Sequence, residues 1–117
     1  MHKKYNHMHT PATLKRLFWM GSALEDLRAF TPLARAEAGI DLGLVQHGVE
    51  PRDWKPMPVV GRGVREIRVR TAGGTWRVFY VVENETAVYV LHAFRKTTQK
   101  TSQADITRGR ARYRSIQ

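Results

Sequence analysis

The chain has 117 residues and a mass of 13.5 kDa, which is enough for one domain with a modest core. Twenty Lys and Arg against ten Asp and Glu give a formal net charge of +10, which favours a polyanionic partner. Cysteine is absent, which excludes disulfides and thiolate sites, and no apolar run reaches the roughly 20 residues that span a bilayer.

The first 15 residues, "MHKKYNHMHTPATLK", show no hydrophobic periodicity, and we interpret them as a flexible leader before one domain over residues 16–117. They carry charge and histidine where a signal peptide has an apolar centre, so a cytoplasmic protein with no membrane partner is expected. His2, His7 and His9 have no Cys or carboxylate beside them, so neither a metal nor a cofactor is expected.

A short strand and a first helix are predicted next. "LFW" at residues 17–19 is a candidate strand. "SALEDLRAF" follows with Ser22 and Glu25 at the spacing of a capping box, in which each side chain satisfies the free amide of the other residue.

A second helix is predicted from "TPLARAEAGIDLGLVQHG", with Thr31 as N-cap and Pro32 at the first helical position. Gly48 is suited to close it in a left-handed cap. The helix is expected to bury one apolar face, and its two internal glycines are expected to allow close packing against a neighbour. The face consists of Leu33, Ile40 and Leu44, and the glycines are Gly39 and Gly43.

The second half of the chain predicts a sheet followed by a basic helix. "EPRDWKPMPVVGRG" is interpreted as a loop, and "VREIRVR" (64–70), "TWRVFYVV" (75–82) and "AVYVLHAF" (87–94) as strands. Their short links favour an antiparallel meander. "SQADITRGRARYRSIQ" predicts a basic helix that is capped by Ser102 and interrupted or weakened at Gly109. The fold class is therefore α+β.

Positive charge is concentrated in this half, because residues 61–117 hold twelve basic and four acidic residues. Arg68 and Arg70 share one face of their strand, Arg77 lies on the next strand and His92 near the end of the third. On neighbouring antiparallel strands, these side chains are predicted to converge on one surface suited to a phosphodiester.

Such a group of residues suits RNA cleavage without a metal, in which the 2′-hydroxyl of the RNA attacks the adjacent phosphate. The reaction needs a proton acceptor, a proton donor and cations that stabilise the transition state. His92 fits the proton-transfer role because its usual pKa is about 6.5. Arg68, Arg70, Arg77 and Lys96 fit the electrostatic role, and Tyr80 could add a hydroxyl donor.

Each of these residues also has a structural interpretation. A strand histidine such as His92 often only packs, and Tyr80 is at a position typical of a core tyrosine. Arg77 shares the parity of Phe79 and Val81, so it could lie beside the core and extend its charge outward.

Three segments resemble a known family: "DWKPMPVVGRGVREIRV", "GGTWRVFYVV" and "AVYVLHAFRKTTQKT". They are similar to the phage-derived, HigB-like branch of the RelE toxin superfamily, small proteins encoded beside a helix-turn-helix antitoxin. The resemblance covers about residues 17–115, and Tyr89 to Thr101 is its most specific part.

The resemblance implies two N-terminal helices on a twisted, mainly antiparallel sheet. It also implies ribosome-dependent, metal-independent cleavage of messenger RNA, which inhibits translation. Arg77 would correspond to the family's strand arginine. Basic family positions would correspond to Arg68, Arg70, Arg95, Lys96 and Lys100. RelE has a catalytic tyrosine soon after this basic segment, whereas "TTQKTSQ" has none, so His92 is the candidate replacement. The candidate catalytic residues are therefore Arg77, His92, Arg68 and Lys96, and the candidate RNA-binding residues are Arg70, Arg95, Lys100 and Tyr80.

Three functions remain in competition: an RNA-cleaving toxin that uses the ribosome to position its substrate, a basic domain that binds nucleic acid without cutting it, and a protein whose basic surface meets an acidic antitoxin. A ribosome-dependent enzyme would explain the absence of a complete acid and base pair in the sequence.

Overall fold

The computed structural model describes residues 14–116. The leader predicted over residues 1–15 therefore lies outside the described residues, apart from Leu14 and Lys15, as do His2, His7 and His9. In chain order the elements are β1 (Arg16–Trp19), α1 (Ala23–Arg28), α2 (Pro32–Gln46), β2 (Trp54–Pro56), β3 (Arg65–Thr71), β4 (Gly74–Val82), β5 (Ala87–Arg95) and α3 (Gln103–Arg114). The α+β fold with two N-terminal helices and a basic C-terminal helix is confirmed.

The five strands form one mixed sheet in the order β1, β5, β4, β3, β2. The meander of β3, β4 and β5 is antiparallel as predicted, whereas β1 pairs in parallel with β5, with Arg16 opposite Ala87. The prediction of a loop throughout "EPRDWKPMPVVGRG" was wrong, since Trp54–Pro56 pairs with β3 as a short strand. A proline is tolerated there because β2 is an edge strand.

Successive side chains of β4 point to opposite faces of the sheet, so β4 contributes to two hydrophobic cores. Trp76, Val78 and Tyr80 point to the back face of the sheet, which packs against α1 and α2. Phe79 and Val81 point to the front face, where they pack against α3. Both helices of the N-terminal half therefore lie on one side of the sheet, and the C-terminal helix lies on the other.

The predicted apolar face of α2 was wrong. Leu33 and Ile40 are 57% and 51% exposed, because the helix turns a stripe of smaller side chains to the sheet. The buried residues of this stripe are three or four positions apart, so they share one face of α2 and allow the helix to approach the sheet closely: Ala34, Ala38, Leu42 and Val45. The predicted close packing at Gly39 and Gly43 was also wrong, since a Cβ at either position would meet nothing within 4 Å.

The caps of the first two helices differ from one another. Thr31 caps α2 as predicted, its hydroxyl accepting from the Ala34 amide at 3.4 Å. The capping box of Ser22 was wrong, because the Ser22 hydroxyl instead donates to Asp26 Oδ2 at 2.7 Å and accepts from Arg112 Nη2 at 2.9 Å. Gly48 has a positive φ of 80° beyond the end of α2, as the sequence predicted.

The third helix, α3, is continuous from Gln103 to Arg114, so the predicted interruption at Gly109 was wrong. That glycine is buried, and a Cβ there would lie 2.8 Å from Phe79 Cδ2. Glycine at this position therefore lets the helix approach the front face closely. Ser102 caps α3 as predicted by accepting from the Asp105 amide at 3.1 Å. Within residues 14–116, no helix is long and apolar enough to cross a bilayer.

Candidate functional site

The front face of the sheet carries a group of cations beside the part that α3 covers. The register of β3 and β4 places Arg68 opposite Arg77. Lys96 directly follows β5, and its backbone amide donates a hydrogen bond to the Thr75 carbonyl of β4. We call Arg68, Arg77 and Lys96 the basic cluster. Three residues that the sequence predicted to act together thus come from three neighbouring sheet segments.

Arg77 is the buried member of the basic cluster, with 6% of its surface exposed. Its Nε lies 3.5 Å from Oε1 of Glu66, and its Nη1 donates to the Trp76 carbonyl at 3.2 Å. Burial lowers the pKa of Arg77, the Glu66 carboxylate opposes this effect, and the Arg68 charge adds to the lowering. The guanidinium remains a cation because an arginine pKa starts far above neutral pH.

Glu66 is the charged residue of this surface that the sequence analysis missed. It is fully buried, and its Oε2 accepts a hydrogen bond from the Thr101 hydroxyl at 3.1 Å. Its position in "VREIRVR" gave a signal, since Glu66 has the same parity as Arg68. Thr101 belongs to the segment after β5, so this contact ties that segment to the sheet.

Lys96 lies at the edge of the same surface and is partly buried. Its ammonium donates to the carbonyls of Thr98 and Gln99 at 2.7 and 2.5 Å. Burial is the main cause that lowers the pKa of Lys96, followed by the nearby charge of Arg77. The lysine therefore shapes the turn after β5 and adds positive potential next to the buried arginine.

His92 is separated from the basic cluster. It is opposite Phe79 in the register, whereas Arg77 is opposite Phe94, and only 3% of its surface is exposed. Its Nε2 lies 2.7 Å from Oδ1 of Asp105, the first-turn carboxylate of α3. The carboxylate accepts, so Nε2 carries the proton.

Burial lowers the pKa of His92, and its hydrogen bond with Asp105 acts in the opposite direction. The ring is therefore neutral at pH 7, and Nδ1 is an acceptor for which no described residue is a donor. Together with Arg95 and Arg108, His92 and Asp105 line a cleft of about 400 Å³ between α1 and α3. The carboxylate partner could not be predicted from the strand pattern, because Asp105 comes from another element.

The four predicted RNA-binding residues occupy different places. Arg70 is exposed and has the parity of Arg68, so it extends the basic cluster along β3. Arg95 lies on the other side of the sheet, with its guanidinium 5.5 Å from the Trp76 ring centre and its Nη2 donating to Gly73 O at 2.8 Å. Lys100 is exposed in the turn before α3, whereas Tyr80 is buried in the back-face core.

The described residues contain no group of three or more His, Cys, Asp or Glu side chains that could hold a metal ion. The basic cluster presents three cations, of which Arg77 pairs with the buried Glu66 and Arg68 lies 3.9 Å from the exposed Asp53 carboxylate. Such an arrangement suits an anionic ligand whose charge is met by guanidinium and ammonium groups.

A family model described as "Phage derived protein Gp49-like (DUF891)" matches residues 25–114. The chain belongs to this family. The Gp49-like family is a family of RelE-like toxins, so the match confirms the resemblance to phage-derived RelE-like toxins. The matched residues include the whole basic cluster of this Gp49-like chain, together with His92 and Asp105.

Among solved structures, the Gp49-like chain is similar to a chain in the toxin–antitoxin complex RelBE2 from Mycobacterium tuberculosis. The two are 23% identical with a TM-score of 0.46, and the similarity covers 72% of this chain and 100% of that chain. No curated protein matches the sequence.

Proposed function

We propose that the chain is the toxin of a toxin–antitoxin pair and inhibits translation by cutting messenger RNA on the ribosome. The observation that carries this proposal is the basic cluster, in which Arg68 lies opposite the buried Arg77, the ion-pair partner of Glu66, and Lys96 lies next to Arg77. Membership of a RelE-like toxin family supports the same function.

In the proposed reaction, the 2′-hydroxyl of the RNA attacks the adjacent phosphorus, and the bond from phosphorus to the 5′-oxygen breaks. Negative charge builds up on the phosphate oxygens in the transition state, and Arg77 is proposed to stabilise it. Arg68 and Lys96 would hold the flanking phosphates. A fixed cation stabilises negative charge most strongly where the site excludes water, as at the buried Arg77.

His92 is proposed to transfer a proton, with Asp105 as its positioning residue. The Asp105 carboxylate fixes the ring by binding Nε2, which leaves Nδ1 as the basic nitrogen. The basic cluster supplies no second proton-transfer group, so the ribosome is proposed to supply it and to position the RNA.

The proposed partners are messenger RNA on the ribosome, with contacts to ribosomal RNA, and a helix-turn-helix antitoxin. Arg70 and Lys100 are exposed near the basic cluster, and Arg95 borders the cleft at His92. These three residues are proposed to contact RNA. Tyr80 is left out of the proposal because it lies on the back face of the sheet.

The test is induction of the protein in bacteria, with growth measured and messenger RNA 5′ ends mapped on translating ribosomes. We expect growth arrest and new cuts within reading frames. Arg77→Lys keeps a positive charge beside Glu66 but loses the planar guanidinium, whose paired N–H donors match the oxygens of a phosphate. Because a lysine ammonium does not replace this geometry, the rate of cutting should fall by at least about tenfold.

The matched control is Arg28→Ala, which removes an exposed positive charge from α1. This variant should cut as the wild type does. Normal growth without new 5′ ends on induction of the wild type, with the protein folded and abundant, would contradict the proposal.

A second candidate function is binding of nucleic acid without cutting it. The burial of His92 beneath α3 favours this alternative, since no proton-transfer pair is open at the basic cluster. A binder would arrest growth or occupy ribosomes without creating 5′ ends, and His92→Gln would leave that activity unchanged.

A further inference from the structure

A second cavity lies on the back face, on the opposite side of the sheet from the basic cluster. It has a volume of about 330 Å³ and is formed where the end of α2 meets β3 and β4. This volume falls in the lower range of small-molecule sites, which begin at about 300 Å³. Its lining includes two cations, a carboxylate, a tyrosine and two valines: Lys15, Arg65, Glu50, Tyr80, Val49 and Val82.

The Tyr80 hydroxyl is an unused donor at this cavity. Tyr80 is 1% exposed, and none of the described residues forms a hydrogen bond with its hydroxyl, although Arg65 is directly opposite in the register. Buried hydroxyls in folded proteins are normally paired. Burial raises the pKa of Tyr80, and the neighbouring Arg65 guanidinium opposes this effect only in part, so the group keeps its proton and remains a donor at neutral pH.

Arg65 is held in place at the side of the same cavity. Its guanidinium stacks 4.0 Å from the ring centre of Trp54, and its contact with Glu50 Oε2 is long, at 3.8 Å. Stacking fixes the guanidinium plane without using its hydrogen-bond donors. The donors of Arg65 are therefore available to a ligand, and a planar carboxylate matches their spacing.

The charges and apolar groups at the cavity restrict the ligand. Lys15 and Arg65 are positive and Glu50 is negative, which leaves one net positive charge and favours a monoanion over a phosphate dianion. Val49 and Val82 are 52% and 41% exposed at the cavity, so they offer apolar surface that a hydrocarbon group would cover.

We propose that this cavity binds a small aliphatic carboxylate. The carboxylate pairs with Arg65 and Lys15 and accepts a hydrogen bond from the Tyr80 hydroxyl, while the short hydrocarbon group packs on Val49 and Val82. This site is independent of the proposed RNA cleavage, because it shares no residue with the basic cluster.

The test is titration of the full-length protein with isovalerate, followed by NMR of the Tyr80 ring and the Arg65 side chain. We expect saturable binding with a Kd in the millimolar range or tighter. Isovaleramide, which has the same shape without the charge, should not bind, and inorganic phosphate should bind more weakly. An isovaleramide affinity equal to that of isovalerate would overturn the proposal, and so would the absence of saturation.

Variants separate the ligand contacts from folding. Tyr80→Phe removes only an oxygen that makes no hydrogen bond, so the protein should fold and bind isovalerate about tenfold more weakly, as expected for a lost hydrogen bond to a charged group. Val82→Glu adds a negative charge at an exposed position and should abolish binding without affecting the core. Arg62→Gln, an exposed charge outside the cavity, should bind normally.

Unchanged affinity for isovalerate in Tyr80→Phe would overturn the proposal. If Tyr80→Phe fails to fold, Val82→Glu is the deciding variant, and normal binding of isovalerate by it would overturn the proposal. A peptide with a free C-terminal valine that binds more tightly than isovalerate would overturn the assignment to a small acid. None of these measurements involves RNA, so their failure and the failure of the proposed nuclease function are distinguishable.

Discussion

Arg77 and Glu66 are buried charges on the front face, and each makes the burial of the other tolerable. Removing one partner of such a pair leaves an uncompensated charge in the core, whereas removing both often costs little. The pair therefore affects stability as well as the proposed chemistry, and loss of activity in an alanine variant would report both effects.

Arg77→Met should lower the free energy of unfolding by about 3 kcal/mol, because Glu66 loses its cation. Urea denaturation of the single variant and of the double variant Arg77→Met with Glu66→Leu measures this coupling. The double variant should be more stable than Arg77→Met alone. If the effects of the two substitutions on the free energy of unfolding are additive, Arg77 and Glu66 do not stabilise one another.

The pH dependence of stability should report on His92. Its pKa in the folded state is lowered by burial, whereas the unfolded chain has the usual value of about 6.5. The folded state then binds fewer protons, so the stabilisation is present above the unfolded pKa and is lost as the pH falls through the lower folded pKa.

Urea denaturation of wild type and His92→Gln at about pH 7.5 and about pH 5 tests this prediction. The wild type should lose more stability than the variant on acidification, and subtracting the two removes the contribution of other groups. An equal loss in both proteins would show that His92 does not titrate in the way its buried position indicates.

At the scale of elements, two helices carry internal glycines in opposite surroundings. A Cβ at Gly43 in α2 meets open space, whereas a Cβ at Gly109 in α3 would lie 2.8 Å from Phe79 Cδ2 and 3.0 Å from Val60 Cγ1. The same substitution should therefore have opposite effects in the two helices.

Gly43→Ala should raise the free energy of unfolding by up to about 1 kcal/mol through helix propensity alone. Gly109→Ala gains the same propensity but overpacks the front-face core, which typically costs 1–3 kcal/mol, so it should lower stability by about 1 kcal/mol. Urea denaturation measures both. Stabilisation by both substitutions would indicate that the Phe79 ring moves aside freely.

These elements also show what the sequence could predict. Alternation in "VREIRVR" and the run "TWRVFYVV", which is apolar on both faces, predicted two neighbouring strands, and their register brings Arg68 and Arg77 together. The helix pattern failed on α2 because alanines form its buried stripe, and alanine gives a weak hydrophobic signal beside Leu33 and Ile40. His92 was recognised as a candidate, but its Asp105 partner depends on how α3 docks, which no local pattern encodes.

At the scale of the whole molecule, the excess positive charge is expected to attract RNA over long distances, and individual cations are expected to contact its phosphates. If Lys96 contacts a phosphate, Lys96→Ala should weaken binding of single-stranded RNA and reduce the slope of log affinity against log salt by about 0.7. Fluorescence anisotropy at several salt concentrations measures the slope. Arg28→Ala also removes one positive charge, but from α1 on the back face of the sheet, and should leave the slope unchanged.

Equal slopes for Lys96→Ala and wild type would place the RNA elsewhere on the molecule. A smaller slope in both variants would mean that the net charge, and not the basic cluster, determines the affinity.

The parallel pairing of β1 with β5 has a consequence for how the chain folds as it is synthesised. Of the five strands, β1 leaves the ribosome first and β5 last, yet Arg16 pairs with Ala87 across all the chain between them. Until β5 emerges, β1 has no partner and the back-face core lacks one wall, and such long-range pairing is slow. Arg77, the buried arginine of the basic cluster, thus gains its final surroundings late in synthesis, so a nascent chain of this protein should remain inactive until nearly all of it has left the exit tunnel.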